Sequence, residues 1–277
     1  MSRIIGQGVI DERRVNTPRQ PRRFRMQLLE DHYLDEVMAL QAVIVDRLTR
    51  KEMLEPFSKT FMQSHFDKKG FVIGIFVNNR LIAFRNVYFP DKDDLEWNLG
   101  LDLGFSESEC KRLANLQMVC VHPDFRGNHL ARKMNRQAID IIRKNKNIAH
   151  LLATVSPYNY WNVDILLNSG FVICALKEKY RGKLRYIVYQ NLTTPVETPP
   201  RALKDKTHAV ALTDFKKQEE LLETGFYGFE LREIPDDDDP LTEHENNRSK
   251  ARGTPLKNHE LLFSKFFINL YKNHSQS

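Results

Sequence analysis

The stretch LQMVCVHPDFRGNHLA, residues 116–131, holds the residues whose types and spacing are best suited to chemistry. An apolar run ends at His122-Pro123, and the proline stops further strand pairing because it has no amide hydrogen. Arg126-Gly127-Asn128-His129-Leu130-Ala131 then turns into a helix. Such a turn aims several backbone N–H groups at one point, with the positive end of the helix dipole behind them. A pyrophosphate suits that point, and Arg126 adds charge. The same residues also suit an ordinary strand-to-helix turn, and spacing alone leaves both readings open.

The elements that must position this turn are legible in hydrophobic period. Phe24 to Leu29 reads as a first strand. Residues 31–48 read as an amphipathic helix through Leu34, Val37, Met38, Ala42 and Val45, with Asp31 as its cap. A shorter helix is expected over 58–67. FVIGIFVNNRLIAFRNVYF folds back at Asn78-Asn79 as a hairpin. Residues 90–113 are polar, with a capped turn starting at Ser106. LQMVCV and HLLATVS are buried strands, each followed by a helix, which predicts neighbouring parallel strands with a right-handed crossover. The first of those helices runs to about Lys144, and the second, YWNVDILLNSG, closes on Gly170. A final hairpin turns at Arg181-Gly182.

Beyond that, TTPVETPPRALKDK at 193–206 reads as a proline-rich linker. A smaller unit over 207–277 follows: HAVAL as strand, DFKKQEELLET as helix, GFYGFELREI as strand, and HELLFSKFF as a returning strand. The acidic stretch 235–258 between them is expected to be mobile. The aspartates at 236–239 lack the alternating ligands and glycine of a calcium loop.

VCVHPDFRGNHLARKM resembles the acyl-CoA-binding signature of the GNAT superfamily of N-acyltransferases, Arg/Gln-x-x-Gly-x-Gly/Ala. TVSPYNYWNVDILLNSGF resembles that family's second block, a Pro-x-Asn followed by a helix ending in Gly-Phe. The order of elements over 24–192 is similar to the family's as well. The resemblance implies an α/β (α+β) fold, with a central mixed sheet of splayed parallel strands flanked by helices and a small C-terminal strand–helix–strand unit added. It implies acetyl-CoA as co-substrate. Met118, Val119, Cys120 and Val121 would line the pantetheine arm as though it were another strand. Arg126, Gly127, Asn128, His129, Leu130 and Ala131 would hold the pyrophosphate, and Asn159 and Asn162 would meet the arm where the strands part. A strand amide would stabilise the oxyanion.

Two positions depart from the family pattern. His129 stands where glycine is expected, which narrows the approach of the phosphates and predicts weaker cofactor affinity. Leu166 stands where many members carry the tyrosine that protonates the leaving thiolate. Tyr158 and Tyr160 are the nearby substitutes, and a thiol of pKa about 8.5 leaves readily without much help. An amine of pKa about 10.4 must lose a proton before attack, through a side chain or a carboxylate acting by way of water. Glu109, Glu96 and Glu107 are the candidate carboxylates and His122 a further base. Gln117 and Ser156 are not useful bases. Direct attack without a covalent enzyme intermediate is expected, and Cys120 and Cys174, in apolar runs, read as inert. The acceptor would be met by residues 47–57, strand 81–89 and turn 178–183. These are mixed in charge (Arg47, Arg50, Glu52, Arg85, Glu178, Lys183) and include Tyr88 and Phe89, with Trp97 nearby.

Composition bounds the rest. The chain of 277 residues is 41% hydrophobic, enough to bury a core. It shows no apolar run near the roughly 18 residues of a membrane span and no signal-like start. Three cysteines, none in a CxxC pair, exclude a disulfide scaffold and a thiolate metal cluster, so no metal and a cytoplasmic setting are expected. Of the net charge of +6, residues 1–25 hold +5, with seven arginines against two acids. Residues 1–23 thus read as a flexible basic arm, and the nearly neutral body argues against nucleic acid except through that arm. The leading expectation is an N-acetyltransferase acting on a primary amine of a small molecule or a protein, with a homodimer allowed. The alternatives are a catalytically silent CoA-binding module and an RNA-directed acyltransferase.

Overall fold

In the computed structural model, which describes residues 3–13, 18–67, 69–193, 207–234 and 258–265, the alternation Arg23-Phe24-Arg25-Met26 forms the centre of a strand, β2 (Gln20–Leu28). Strand β1 (Ile4–Glu12) pairs antiparallel with it from Ile4↔Gln27 to Glu12↔Gln20. The N-terminal segment that reads in sequence as a flexible arm is therefore largely a β-hairpin. Its arginines mask the period-two pattern, yet Ile10, Phe24 and Met26 are buried, and Arg22 Nε bonds the buried Glu12 carboxylate at 2.8 Å. Arg14 lies outside the described residues.

The chain divides into two compact units, residues 1–154 with 190–194, and residues 155–189 with 195–277. The first carries strands in the order β1-β2-β3-β4-β5-β6, where β3 is Gly70–Val77, β4 Arg80–Tyr88, β5 Leu113–Val121 and β6 His150–Val155. Strands β3 and β4 turn at Asn78 and Asn79, both at positive φ (48° and 62°), as a two-residue hairpin requires. Helix α1 (Leu34–Asp46) buries Val37, Leu40 and Ile44 in one cluster with Phe76, Phe84, Met118 and Cys120 of the sheet. Each such side chain contributes about 1.5–3 kcal/mol by burial. Asp31, expected as the cap, lies in a 3-10 turn (Asp31–Tyr33), and α1 starts without a side-chain cap. Helix α2 (Lys59–Ser64) is capped by Ser58 and is shorter than the expected 58–67. Two single turns, α3 (Leu99–Asp102) and α4 (Glu107–Cys110), punctuate the polar loop, the latter starting at Ser106 as read from sequence. Helix α5 (Leu130–Ile142) buries Leu130, Met134, Ala138 and Ile142.

The second unit orders its strands β8-β7-β10-β11-β9, with β7 at Val172–Lys179, β8 at Lys183–Asn191, β9 at His208–Ala211, β10 at Tyr227–Glu233 and β11 at His259–Ser264. Helices α6 (Tyr160–Leu167) and α7 (Phe215–Glu223) belong to it. The division differs from the expected boundary between 24–192 and 207–277. Packing gives the reason: β10 pairs with β7 through Gly228↔Ile173, where a Cβ on Gly228 would stand 3.1 Å from the Ile173 side chain. Gln218 of α7 is fully buried and accepts a hydrogen bond from Tyr186 on β8. The C-terminal elements thus pack with the final hairpin of the expected catalytic domain. The linker beyond residue 193 and the acidic stretch through 257 lie largely outside the described residues.

Candidate functional site

Strand β5 is the centre of the site in the first unit. It runs parallel to β6 only through Leu113↔His150, Ala114↔Leu151 and Asn115↔Leu152; beyond Asn115 the two strands part. On its other edge β5 stays paired with β4 as far as Ala83↔Val121. The His122 amide donates to Ile82 O (2.8 Å), so strand alternation turns Cys120 toward β4 and leaves the backbone N–H and C=O of Val119 and Val121 on the open edge. Of the four residues expected along a pantetheine arm, these two offer main-chain partners. Met118 does not, because its amide donates to Asn86 Oδ1 at 3.0 Å.

That bond marks a β-bulge, in which Gln117 and Met118 together oppose Asn86. Arg85 secures it from the other face of the sheet. The side chain is 1% exposed, donates from Nη1 to Gln117 O at 3.1 Å, and donates from Nε and Nη2 to Asn135 Oδ1 on α5. Burial lowers its pKa to about 9. Sequence places Arg85 among the residues facing the acceptor; instead it lies inside, beneath the bulge. One clue to this is present in the sequence, an Arg-Asn pair inside an otherwise apolar strand.

Beyond β5 the chain makes a 3-10 turn at Pro123–Phe125 and then enters α5. Gly127 has φ 78° and His129 φ 56°. The position where the family pattern has glycine is thus a left-handed one, which explains that preference. His129 is the N-cap residue of α5 and makes no side-chain cap bond. Among the described residues, no acceptor is present for the amides of Gly127, Asn128, His129, Leu130 or Ala131. The Asn128 side chain turns away from them: Nδ2 donates to the carbonyls of Asp11 (2.7 Å) and Phe125 (3.0 Å), and Oδ1 accepts from the Asp11 amide (2.9 Å). Arg126, Gly127 and His129 are exposed. An uncapped helix start with a row of free amides and an adjacent arginine is chemically fitted to a diphosphate.

At the bulge, Gln117 Oε1 lies 2.6 Å from His65 Nε2, and His65 Nδ1 bonds Phe61 O at 2.9 Å. His65 is fully buried among Phe57, Phe61 and Tyr88, and burial lowers its pKa despite the hydrogen bond with Gln117. Sequence reading misses this residue, because its distance from Gln117 along the chain hides the pairing. Most of the expected bases are otherwise engaged. Glu109 Oε2 accepts from the Ser106 amide (2.7 Å) in a capping box on α4. Glu107 pairs with Lys111 at 2.8 Å, and Glu96 is exposed. His122 is buried and accepts from Arg80 Nη2 at Nε2 (2.9 Å); burial first, then Arg80, lowers its pKa. Tyr88 is buried and donates to Asp94 (2.5 Å), so its hydroxyl is committed too.

In the second unit, Asn159 caps α6, its side chain accepting from the Asn162 amide at 3.3 Å. Asn162 Oδ1 and Ser156 Oγ are buried without a partner among the described residues. Tyr158 stands edge-on to Phe215. Tyr160 packs against Trp161 and His259, and burial, then Glu233, raises its pKa. Leu166 is buried. Burial pushes the Cys120 thiol up to about 12 and raises Cys174 as well. Among the described residues no group of His, Cys, Asp or Glu is arranged to hold a metal, and no helix is long and apolar enough to cross a membrane.

Residues 39–171 match the Acetyltransferase (GNAT) family. No curated protein matches the chain by sequence. Solved structures similar to it include an acetyltransferase of the GNAT family from Streptococcus pneumoniae, with 14% identity and TM-score 0.47 over 61% of this chain and 98% of that one. The ribosomal-protein-S18-alanine N-acetyltransferase of Escherichia coli shares 16% identity at TM-score 0.46 over 64% and 99%. A Salmonella typhimurium protein described as an acetyltransferase, solved with acetyl-CoA, shares 12% at TM-score 0.46 over 64% and 98%.

Proposed function

Because the chain belongs to the GNAT superfamily of acetyltransferases, we propose that it moves an acetyl group from acetyl-CoA to a primary amine by direct attack in a ternary complex. The observation that carries this reading is the open edge of β5 running into the uncapped start of α5. Bound acetyl-CoA supplies the activated acyl group as a thioester. Val119 and Val121 offer main-chain donors and acceptors for an extended arm, and one of their amides would donate to the developing oxyanion. The amides from Gly127 to Ala131, with Arg126, receive the diphosphate. Arg85 and Asn86 keep the bulge rigid, so that the donors stay in place as charge develops.

Glu107 and Glu109 are committed to Lys111 and to the α4 cap, which favours loss of the amine proton through water. The test is calorimetric titration with acetyl-CoA beside Arg126→Ala, followed by thiol release on a panel of primary amines. Binding weakened about tenfold by the variant supports the cofactor turn, and amine-dependent thiol release supports transfer. Binding with no release on any amine would favour a silent CoA-binding module.

A further inference from the structure

The first unit holds one charged side chain at the diphosphate turn that the family signature does not contain. Arg13 follows directly on β1, and its amide donates to Asp124 O at 2.6 Å. Two residues earlier, Asp11 is clasped through its main chain by both polar atoms of Asn128. These bonds fasten the end of the N-terminal hairpin onto the loop between β5 and α5. The Arg13 guanidinium then lies on Gly127 so closely that a Cβ there would stand 2.5 Å from Nη1 and 3.1 Å from Cζ. Glycine at 127 thus serves twice, supplying the left-handed turn and making room for an arginine.

That guanidinium has no hydrogen-bond or ion-pair partner among the described residues, and its Nε is buried and unsatisfied. Nearby acids do not neutralise it. Glu12 is taken by Arg22, Asp11 contributes its main chain, and the Asp124 carboxylate stands by His122 at 3.8 Å. An unpaired guanidinium lying on Gly127, the first residue of a run of five free amides, suits an anion with several acceptor oxygens. From this geometry we infer that the N-terminal hairpin is part of the cofactor site, with Arg13 a second arginine, beside Arg126, for the diphosphate of coenzyme A. The assignment rests on the acyl-CoA reading above. It also gives the hairpin a part in binding, in which Asn128 places Arg13 and Arg13 meets the anion.

The experiment measures dissociation constants of the full-length chain for CoA, 3′-dephospho-CoA and pantetheine, at two salt concentrations. Wild type is set beside Arg13→Met, Arg13→Lys and Arg126→Ala. The methionine keeps the apolar stem over Gly127 and removes the charge; thermal melting shows that each variant is folded. Arg13→Met is expected to weaken CoA and 3′-dephospho-CoA alike by about tenfold, with a shallower salt dependence. Pantetheine should be unaffected. Arg13→Lys, which keeps the charge but loses the fork, should fall between them, and it carries the test by itself should the methionine variant fail to fold. CoA binding by Arg13→Met and Arg13→Lys equal to wild type, with Arg126→Ala impaired, would reduce Arg13 to a clasp and overturn the inference. A loss confined to CoA and spared in 3′-dephospho-CoA would overturn the diphosphate assignment. Failure of wild type to bind CoA would remove the underlying reading and this one with it.

Discussion

Two strand-to-helix junctions in this protein start from the same local plan and end differently. After β6, Asn159 caps α6 and its side chain takes the Asn162 amide. After β5, His129 adopts a left-handed conformation, caps nothing, and leaves the first amides of α5 open. Both helix starts carry the same kind of dipole. What separates them is whether a side chain of the protein has already claimed the amide hydrogens. An anion site of the kind proposed here would be made as much by a missing cap as by any residue present.

Giving the first junction a cap tests this most directly. His129→Asp, which tolerates the left-handed position and supplies a carboxylate to the α5 amides, is expected to weaken acetyl-CoA binding by at least about tenfold. The same variant should leave the protein as stable as wild type or more so. His129→Gly is its converse, relieving the positive φ of 56° and restoring the family residue. It should stabilise by about 0.5–1 kcal/mol and tighten binding. Calorimetry and urea unfolding on the two variants read both effects; equal affinity in both would mean that the amides do not hold the phosphates.

A smaller effect is expected when the second junction is opened. Asn159→Ala removes the side-chain cap of α6 and should cost about 1 kcal/mol in urea unfolding. A loss well beyond that would mean Asn159 holds more than its helix.

The smallest expected effect is a pH dependence. Burial lowers the pKa of His65, His122 and His150 below 6.5 in the folded first unit, so each is neutral near pH 7. The unfolded chain takes up these protons at higher pH than the folded one. Their contribution is thus fully present above about pH 6.5 and is lost as pH falls toward the folded values. Thermal melting at pH 7.5 and 5.5 should show the loss, and His122→Asn, at the start of the first junction, should flatten it. An unchanged slope in that variant would take the first junction out of the acid response.

Much of the scaffold is legible in the sequence because its signals are local. Asn78-Asn79 specifies a hairpin by its φ preference, Ser106 and Glu109 a capped turn, and two apolar runs entering helices a parallel pair. The turn proposed to hold the cofactor is legible for the same reason, since Arg126 to Ala131 are contiguous. His129 stands out as a departure from the family pattern, although its left-handed geometry comes only with the structure. The proton-handling residues are not legible. Glu109 is a candidate base by composition and a capping residue by geometry.

Sequence alone accounts for most of the elements from residue 24 onward, the order in which they occur and the turn from Arg126 to Ala131, all of which depend on residues within a helix turn or a strand of one another. It took the tertiary structure to bury Arg85 under the β5 bulge rather than turn it toward an acceptor. The same holds for the basic N-terminus, which is a hairpin, and for Arg13, which rests on Gly127. The physical reason is shared. An arginine in sequence is only a charge on a long stem, and whether that charge meets solvent, a carbonyl or a ligand depends on which distant backbone folds against it. For Asn128 and Asp11 the partner is 117 residues away.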